Sequence, residues 1–281
     1  MNTIKTTFLL TAMTLFLLFV GGALAGRGGL ILALFVAILM NGGAYFFSDK
    51  IALKSAGAVP ISREESPRLY EVMERLAGKA NLPMPKLYLV PQAAPNAFAT
   101  GRNPSHASVA VTQGLMELMN DDELEGVIAH ELSHVRNYDI LTSSIAATLA
   151  GAITMLARFG GMFGGRGRGR DNGGAIMALA MLILAPLGAL LLQMGISRSR
   201  EYQADESGVQ MVGHANGLIS ALGKLGAYNQ RIPSQIPPTT AALCIVQPMA
   251  IRQMFANLFS THPPLSDRIA RLQAMTIVPS R

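Results

Sequence analysis

The sequence is poor in charged residues and in cysteine. Only 14% of its 281 residues are Asp, Glu, Lys or Arg, half are apolar, and the mean hydropathy is +0.35. A soluble domain normally carries about 25% charged residues, so this composition indicates a membrane protein. The single cysteine, Cys244, excludes an intramolecular disulfide and is compatible with a reducing compartment.

A basic surface of the nucleic-acid-binding kind is also missing from the sequence. The formal net charge is only +6, and most Lys and Arg residues lie beside apolar segments rather than on a face interleaved with aromatic residues. That placement is typical of residues that flank membrane spans. The sequence therefore predicts contact with a lipid bilayer and no nucleic-acid partner.

Two long apolar runs lie near the N-terminus, at Thr6 to Ala25 and Gly29 to Phe47, and the loop between them holds only Arg27 as a charge. Runs of this length can cross a hydrocarbon core about 30 Å thick. They predict a transmembrane hairpin. Because Ala23-Leu24-Ala25 resembles a signal-peptide cleavage site, a cleaved leader is the alternative interpretation of the first run.

Two further apolar runs, Ile140 to Arg158 and Gly174 to Gly195, flank a Gly/Arg-rich loop at 160–172. The first is rich in small residues, which favours close helix packing but leaves full insertion open. The second is more apolar, and Pro186 is expected to kink it. The runs lack acidic or basic residues at their centres, where such residues usually mark ion pathways, and this argues against a transporter.

The most informative stretch lies at Asn120 to Arg136. Asn120 is a good N-cap, acidic residues follow it in the first turn, and apolar residues recur at helical spacing. On this helix His130 and His134 share one face, so they can bind one metal ion, while the adjacent Glu131 can take a proton from water. This H-E-x-x-H spacing is typical of zinc hydrolases. The alternative is a solvated amphipathic helix with two incidental histidines.

A catalytic zinc ion needs a third protein ligand, and Glu201, beyond the fourth apolar run, is the candidate. Asp205 lies four residues later on the same helical face and could hold a ligating imidazole by its second nitrogen. The alternative is a membrane-edge helix with ordinary surface acids. Asn137 and Ile140 stand where the extended H-E-x-x-H-x-x-G-x-x-H motif requires Gly and His, which excludes that type.

Between the hairpin and the histidine helix, the pattern is that of a water-soluble fold. Ser66-Pro67 predicts a helix start, and three short strands are predicted at Lys86 to Val90, Asn96 to Thr100 and Ser108 to Thr112. A strand beside a metal cleft can pair with an extended peptide. We therefore expect Asn96 and Phe98 to bind substrate, with a plain core strand as the alternative.

The order of segments constrains the topology. The two histidines precede the third apolar run and Glu201 follows the fourth, so a shared metal ion requires the two runs to form a hairpin that returns the chain to one membrane face. The basic residues on that face are Lys5, Lys50, Lys54, Arg198 and Arg200. By the positive-inside rule the face is cytoplasmic, although Arg166, Arg168 and Arg170 on the opposite loop argue against this orientation.

Together these features resemble the HtpX family, bacterial inner-membrane zinc metalloproteases related to the CAAX prenyl endoproteases. The resemblance rests on the four apolar runs, on the two metal motifs, on Pro95 to Gly101, and on Thr261-His262-Pro263-Pro264-Leu265. It implies an α+β zincin-like metalloprotease domain with four transmembrane helices, and one zinc ion per subunit held by His130, His134 and Glu201. It also implies Glu131 as the catalytic base.

The resemblance further implies a role in the quality control of damaged membrane proteins under stress. It makes His262 a candidate donor to the tetrahedral oxyanion, with a surface histidine as the alternative. The domains would be an N-terminal hairpin (1–57), a catalytic part with the histidine helix (58–139), a second hairpin (140–196) and a second catalytic part (197–281). The rival function is a membrane chaperone or scaffold in which zinc is structural and has four protein ligands.

Overall fold

The structure is a computed structural model that describes residues 2–149, 198–231 and 263–275. Its first element, helix α1 (Asn2–Ser55), is interrupted at Ala25 and at Gly26, where φ is +55°. The interruption separates two helices, Ile4–Ala23 and Ala25–Ser55, that are both long and apolar enough to cross a membrane. The predicted N-terminal pair of apolar helices is therefore confirmed.

The two halves of α1 pack against each other at small and polar residues. The backbones of Gly21 and Gly29 approach so closely that a Cβ atom on either would collide with the other's carbonyl group. Farther along, the Asn41 amide donates hydrogen bonds to the Leu10 carbonyl (3.2 Å) and to the Thr14 hydroxyl (2.8 Å). Close approach at small residues and hydrogen bonds between helices are the usual means of packing helices in lipid.

Four short strands and a series of helices follow α1 in the described residues. They are β1 (Val59–Pro60), α2 (Pro67–Lys79), β2 (Lys86–Val90), β3 (Ala97–Thr100), β4 (Ser108–Thr112), α3 (Gln113–Leu118), α4 (Asp121–Arg136), α5 (Asp139–Leu149), α6 (Arg198–Val212), α7 (Asn216–Arg231) and α8 (Leu265–Gln273). The three predicted strands and the predicted helix after Ser66 all form, although the Ser66 side chain makes no capping hydrogen bond.

The strands form one sheet in the order β1-β2-β4-β3. Strand β2 runs parallel to β4 in register Leu87↔Val109, and β3 runs antiparallel to β4, so β3 lies at one end of the described sheet. One face of the sheet packs with α2 and α4 in the main core. On the other face, Phe98 packs in a separate cluster with Leu53 from the end of α1. The sheet therefore lies between the histidine helix and the end of a predicted span.

Helix α5 is the described part of the third apolar run, and it packs against α1. Leu9 and Met13 are buried together with Ile145, and the Thr6 and Thr142 hydroxyls form a buried hydrogen bond of 3.0 Å. The first apolar run and α5 thus contact each other through both apolar side chains and a hydrogen bond. Among the other predictions, the loop at 160–172, the run Gly174 to Gly195 and Cys244 lie outside the described residues.

Candidate metal centre

Helix α4 begins with the capping arrangement that its sequence predicts. The Asn120 side chain accepts a hydrogen bond from the Glu123 amide (2.9 Å), and the Glu123 carboxylate accepts one from the Asn120 amide (2.8 Å). This reciprocal pair satisfies two amides that a helix start otherwise leaves open. The helix then buries nearly its whole length, so that His130 is 0% exposed and Glu131 is 2% exposed.

Three potential ligand atoms, one each from His130, His134 and Glu201, lie close together. Nε2 of His130 lies 3.3 Å from Nε2 of His134, and the Glu201 carboxylate oxygens lie 3.7 Å and 3.5 Å from these two nitrogens. A tetrahedral zinc ion with ligands at about 2.0–2.1 Å separates neighbouring ligand atoms by about 3.3 Å. The donor set and its spacing therefore fit a zinc ion, and the predicted convergence of Glu201 with the histidine pair is confirmed.

Helix α6 brings Glu201 to the histidines because it packs very closely along α4. At Gly208, a Cβ atom would lie 3.1 Å from the His130 backbone nitrogen and 3.3 Å from its Cα. Contacts this short against backbone atoms cannot be relieved by moving a side chain. A residue without a side chain at position 208 thus sets how near Glu201, two turns earlier on α6, can approach the metal ligands.

Both histidines are held by a carboxylate on the nitrogen that faces away from the ligand cluster. Asp205 Oδ1 lies 2.9 Å from Nδ1 of His130, as predicted. Asp139 Oδ2 lies 3.2 Å from Nδ1 of His134, a contact that the sequence interpretation missed. The sequence feature that could have revealed this contact is an acidic residue five positions after His134. The backbone at Tyr138, where φ is +59°, turns the chain so that this residue returns to the ring. Such partners fix the ring orientation and raise the basicity of the ligating nitrogen.

Buried arginines hold these two carboxylates in turn. Arg268 of α8 is 0% exposed and donates to both Asp205 oxygens, from Nε at 2.8 Å and from Nη2 at 2.5 Å. Its Nη1 also lies 3.7 Å from Glu201. Arg200 donates to Asp139 at 3.4 Å. The sequence gave no reason to connect Arg268 with residues more than sixty positions earlier.

Burial and neighbouring charges shift the pKa values of the side chains at the site. Burial raises the pKa of Glu131 to about 7, with Glu201 adding to the effect while His134 and the Ala99 amide oppose it. Burial lowers the pKa of His134, but the carboxylates of Asp139, Glu201 and Glu131 outweigh burial and raise this pKa to about 9. Burial favours the neutral Asp205, yet Arg268 keeps its pKa below the ordinary value. Four acids around two histidines thus attract positive charge to this point.

Strand β3 lies directly beside Glu131. The Ala99 amide donates a hydrogen bond to Glu131. In the antiparallel pair, the Asn96 carbonyl accepts from the Thr112 amide, so alternate residues from Asn96 onward turn their backbone groups towards β4. The backbone groups of Ala97 and Ala99 therefore point to the other side, towards Glu131, where β3 has no pairing strand among the described residues.

The predicted substrate-binding side chains lie elsewhere on this strand. Asn96 is 4% exposed and its side-chain oxygen accepts from the Ala97 amide at 2.9 Å, whereas Phe98 is 4% exposed and packs towards α1. Sequence alternation alone did not reveal that Ala97 and Ala99 are the residues that turn their backbone groups away from β4. His262, the predicted oxyanion donor, lies outside the described residues.

Comparisons with known proteins agree on the family to which the chain is similar. Residues 63–276 match the model of peptidase family M48. The chain is 54% identical over 276 residues to a protease HtpX homologue from Desulfatibacillum aliphaticivorans, covering 96% of this chain and 89% of the relative. It is 47% identical over 285 residues to one from Pelotomaculum thermopropionicum, covering 99% and 100%.

The fold also resembles that of a solved structure. The crystal structure of S. mikatae Ste24p superposes with a TM-score of 0.52 at 19% identity, and the match covers 96% of this chain and 65% of that one. At this identity the likeness concerns the fold alone. The family match spans both parts of the described metal centre and includes the histidine helix, Glu201 and Arg268. The chain therefore belongs to peptidase family M48 and is a metalloendopeptidase.

Proposed function

We propose that the chain is a zinc-dependent endopeptidase that cleaves membrane proteins next to the bilayer. The observation that carries this proposal is the convergence of His130, His134 and Glu201, with spacings of 3.3 to 3.7 Å, beside the buried Glu131. Two imidazoles and one carboxylate are a typical catalytic zinc set that leaves a position for water or substrate.

When bound at these ligands, zinc supplies a Lewis acid and lowers the pKa of a coordinated water to about 7. Glu131 accepts a proton from the attacking water and later passes it to the leaving amine. Its raised pKa, about 7, matches an exchange of protons near neutral pH. The Ala99 amide, which donates to Glu131, holds the carboxylate in position, and Asp205 and Asp139 keep the imidazoles oriented.

An extended substrate segment would pair with the open side of β3 through the backbone carbonyls of Ala97 and Ala99, because the two amides already donate to the Asn96 side chain and to Glu131. Backbone pairing of this kind gives affinity without dependence on a particular side chain, which suits a peptidase with many substrates. Asn96 would contribute by fixing the start of the strand, and Phe98 by fixing the face that packs on α1.

A location at the bilayer is supported by the way the apolar helices join the site. Asp139, which contacts His134, is the first residue of apolar helix α5, and α5 packs against α1. The metal centre would thus lie at the membrane boundary. Basic residues such as Lys50 and Lys54 flank the end of the second span on the catalytic side, which supports a cytoplasmic orientation in the inner membrane by the positive-inside rule.

We extend the proposal to the substrates: misfolded or damaged membrane proteins, cleaved as part of quality control under stress. A site at the bilayer surface that recognises backbone would reach chains that have lost their folded structure near the membrane. A scaffold with a structural zinc is the rival function. It requires a fourth protein ligand, and the described residues supply three ligand atoms at the site.

The test uses the purified full-length protein in detergent with a model membrane protein in folded and misfolded forms. Glu131→Gln should retain zinc and lose cleavage by a factor of about 10² or more, since general base catalysis is worth about 10²–10⁴. Glu117→Gln, an exposed substitution on α3, is the matched control and should cleave normally. Undiminished cleavage by Glu131→Gln with bound zinc would refute the mechanism, and equal cleavage of folded and misfolded substrate would refute the quality-control role.

A further inference from the structure

A second cleft lies where the end of helix α1 meets the sheet. Its volume is about 460 Å³, within the range of small-molecule sites. Phe46, Phe47 and Lys50 from α1 form one wall. The opposite wall comes from the sheet and from the loop between β3 and β4, with Lys86 and Arg102 facing the cleft. The metal centre's residues are not among those that line it.

Positive charge dominates this cleft. Lys50, Lys86 and Arg102 line it against one carboxylate, Asp49, which leaves a net charge of three minus one, or +2, without counting His106. Within the part of the chain that the structure describes, none of these three cations forms an ion pair, and Lys50 lies instead over the Phe47 ring at 5.6 Å from its centroid. Unpaired cations that converge on one cleft favour an anionic ligand.

The Arg102 guanidinium is held in position by neighbouring side chains. His106 Nδ1 lies 2.7 Å from Asn103 Oδ1, and His106 Nε2 lies 2.7 Å from Arg102 Nη2. Because the Asn103 oxygen only accepts, Nδ1 carries the ring proton and Nε2 accepts from Arg102. The imidazole thus bridges Asn103 and Arg102 and orients the guanidinium. Planar guanidinium groups with further free N–H donors are well suited to bind phosphate.

The position of the cleft along α1 identifies the source of the anion. The helix segment Ala25–Ser55 is apolar enough to span a membrane, and its last turns carry Tyr45, Phe46 and Phe47, which are 38%, 55% and 52% exposed. Exposed aromatic residues followed by lysines mark the level of the lipid headgroups. The cleft therefore opens where headgroup phosphates lie, and its sheet wall stands on the water side of them.

We propose that the cleft between the end of helix α1 and the β2–β4 side of the sheet binds the phosphate headgroup of an anionic membrane phospholipid. Lys86 and Arg102 contact the phosphate from the catalytic domain, Lys50 contacts it from the span, and Phe46 and Phe47 pack along the acyl chains. The inference depends on α1 spanning the bilayer and is independent of the peptidase mechanism.

A bound headgroup would link the membrane to the substrate-binding strand. Arg102 follows β3 by two residues, and Ser108, also in the cleft wall, is the first residue of β4. A phosphate contact at Arg102 would hold the loop between the two strands, and with it the β3–β4 pair, against the bilayer surface. The open side of β3 would then keep a fixed height above the membrane.

The experiment measures ligand binding by the full-length protein in an uncharged detergent. Short-chain phosphatidylglycerol, short-chain phosphatidylcholine and inorganic phosphate are titrated against the wild-type protein and against the double variant Lys86→Gln with Arg102→Gln. The wild-type protein should bind phosphatidylglycerol with a saturable binding curve. The affinity of the double variant for this lipid should be lower by about tenfold or more, since two phosphate contacts are lost. Phosphatidylcholine and inorganic phosphate should both bind the wild-type protein about tenfold or more weakly than phosphatidylglycerol.

The matched control is Arg75→Gln with Lys79→Gln, which removes the same charge from exposed positions on α2 and should leave the affinity unchanged. Equal affinity of wild type and the cleft variant would overturn the proposal, as would equal binding of the two lipids. Binding of inorganic phosphate as tight as that of phosphatidylglycerol would also overturn it in favour of a free-phosphate site.

A second measurement needs no variant and so does not depend on whether the variant folds. A photoactivatable phosphatidylglycerol is cross-linked to the wild-type protein in vesicles, and the labelled peptides are mapped by mass spectrometry. Label should concentrate in residues 46–53 and 86–108 and should decrease when unlabelled phosphatidylglycerol is added in excess. Label confined to other parts of the chain would contradict the proposal.

Discussion

The Asp139 carboxylate lies 3.2 Å from Nδ1 of His134, opposite the nitrogen that faces Glu201. Asp139 is the first residue of α5, whereas the corresponding partner of His130, Asp205, belongs to α6. Each ligating imidazole is therefore oriented by a different element. Because α5 packs against α1, the geometry of His134 depends directly on the apolar part of the molecule.

Replacing Asp139 with Asn should weaken metal binding. An amide at this position can accept a hydrogen bond but carries no charge, so His134 becomes a poorer and less oriented ligand. Loss of such partners typically costs about 10–100-fold in metal affinity. Competition with a chromophoric zinc chelator measures the effect, and Asp122→Asn, exposed in the first turn of α4, is the matched control. If both variants hold zinc as the wild type does, Asp139 has no role in the centre.

The sequence predicted the local parts of this site and missed the parts that depend on distant packing. Asn120, His130, Glu131 and His134 follow from one helical pattern, and Glu201 follows from the need for a third ligand after a membrane excursion. Asp139 was missed because its approach to His134 depends on the backbone at Tyr138, where φ is +59°. Local spacing does not show such a turn at a residue other than glycine.

The role of Arg268 could not be predicted from the sequence for a different reason. It lies 63 positions from Asp205 and 138 from His130, and only the docking of α8 onto α6 brings them together. Similarly, alternation located the strand β3, but its register with β4 decides that Ala97 and Ala99 turn their backbone groups towards Glu131. Contacts between residues that lie far apart in the sequence cannot be predicted from the pattern of any one short segment.

Arg268→Met should destabilise the protein substantially. The substitution leaves Asp205 and Glu201 buried without their cation, and breaking a buried ion pair from one side typically costs about 3–5 kcal/mol. Denaturant unfolding of the detergent-solubilised protein measures the loss. In the double variant Arg268→Met with Asp205→Asn, the loss should be smaller than the sum of the two single effects, because the uncompensated charge is gone. Simple additivity would show that the two residues act independently.

Gly208→Ala should weaken the metal centre without changing any charge. The new methyl group would lie 3.1 Å from the His130 backbone nitrogen, so α6 must move away from α4 by a few tenths of an ångström and carry Glu201 with it. We expect lower zinc affinity together with a lower free energy of unfolding. The matched control is Gly223→Ala on α7, where nothing lies within 4 Å of the added Cβ. There the change should stabilise the helix by about 0.5–1 kcal/mol, and an equal gain at Gly208 would contradict the tight packing.

Glu123→Gln should make the protein less stable at neutral pH and change how its free energy of unfolding depends on pH. The Glu123 carboxylate accepts from Ser220 (2.6 Å) and from Lys224 (2.7 Å). Burial raises its pKa, but these bonds and the Asn120 amide outweigh burial and hold the pKa below its ordinary value of 4.5. Because the folded-state pKa lies below the unfolded value, the stabilisation is present above about pH 4.5 and is lost as the pH falls through the folded-state pKa.

The measurement is the free energy of unfolding of wild type and Glu123→Gln as a function of pH. At neutral pH the variant should lose about 1–2 kcal/mol, less than for a fully buried pair, because Lys224 is 40% exposed and water screens its charge. The difference should shrink as the pH falls below about 4.5 and should vanish below the folded-state pKa, where the folded wild-type carboxylate also becomes neutral. Glu117→Gln, exposed on α3, should show no such pH dependence. A difference that stays constant from neutral to acid pH would mean that Glu123 acts through packing alone, so the shape of this curve separates its charge from its volume.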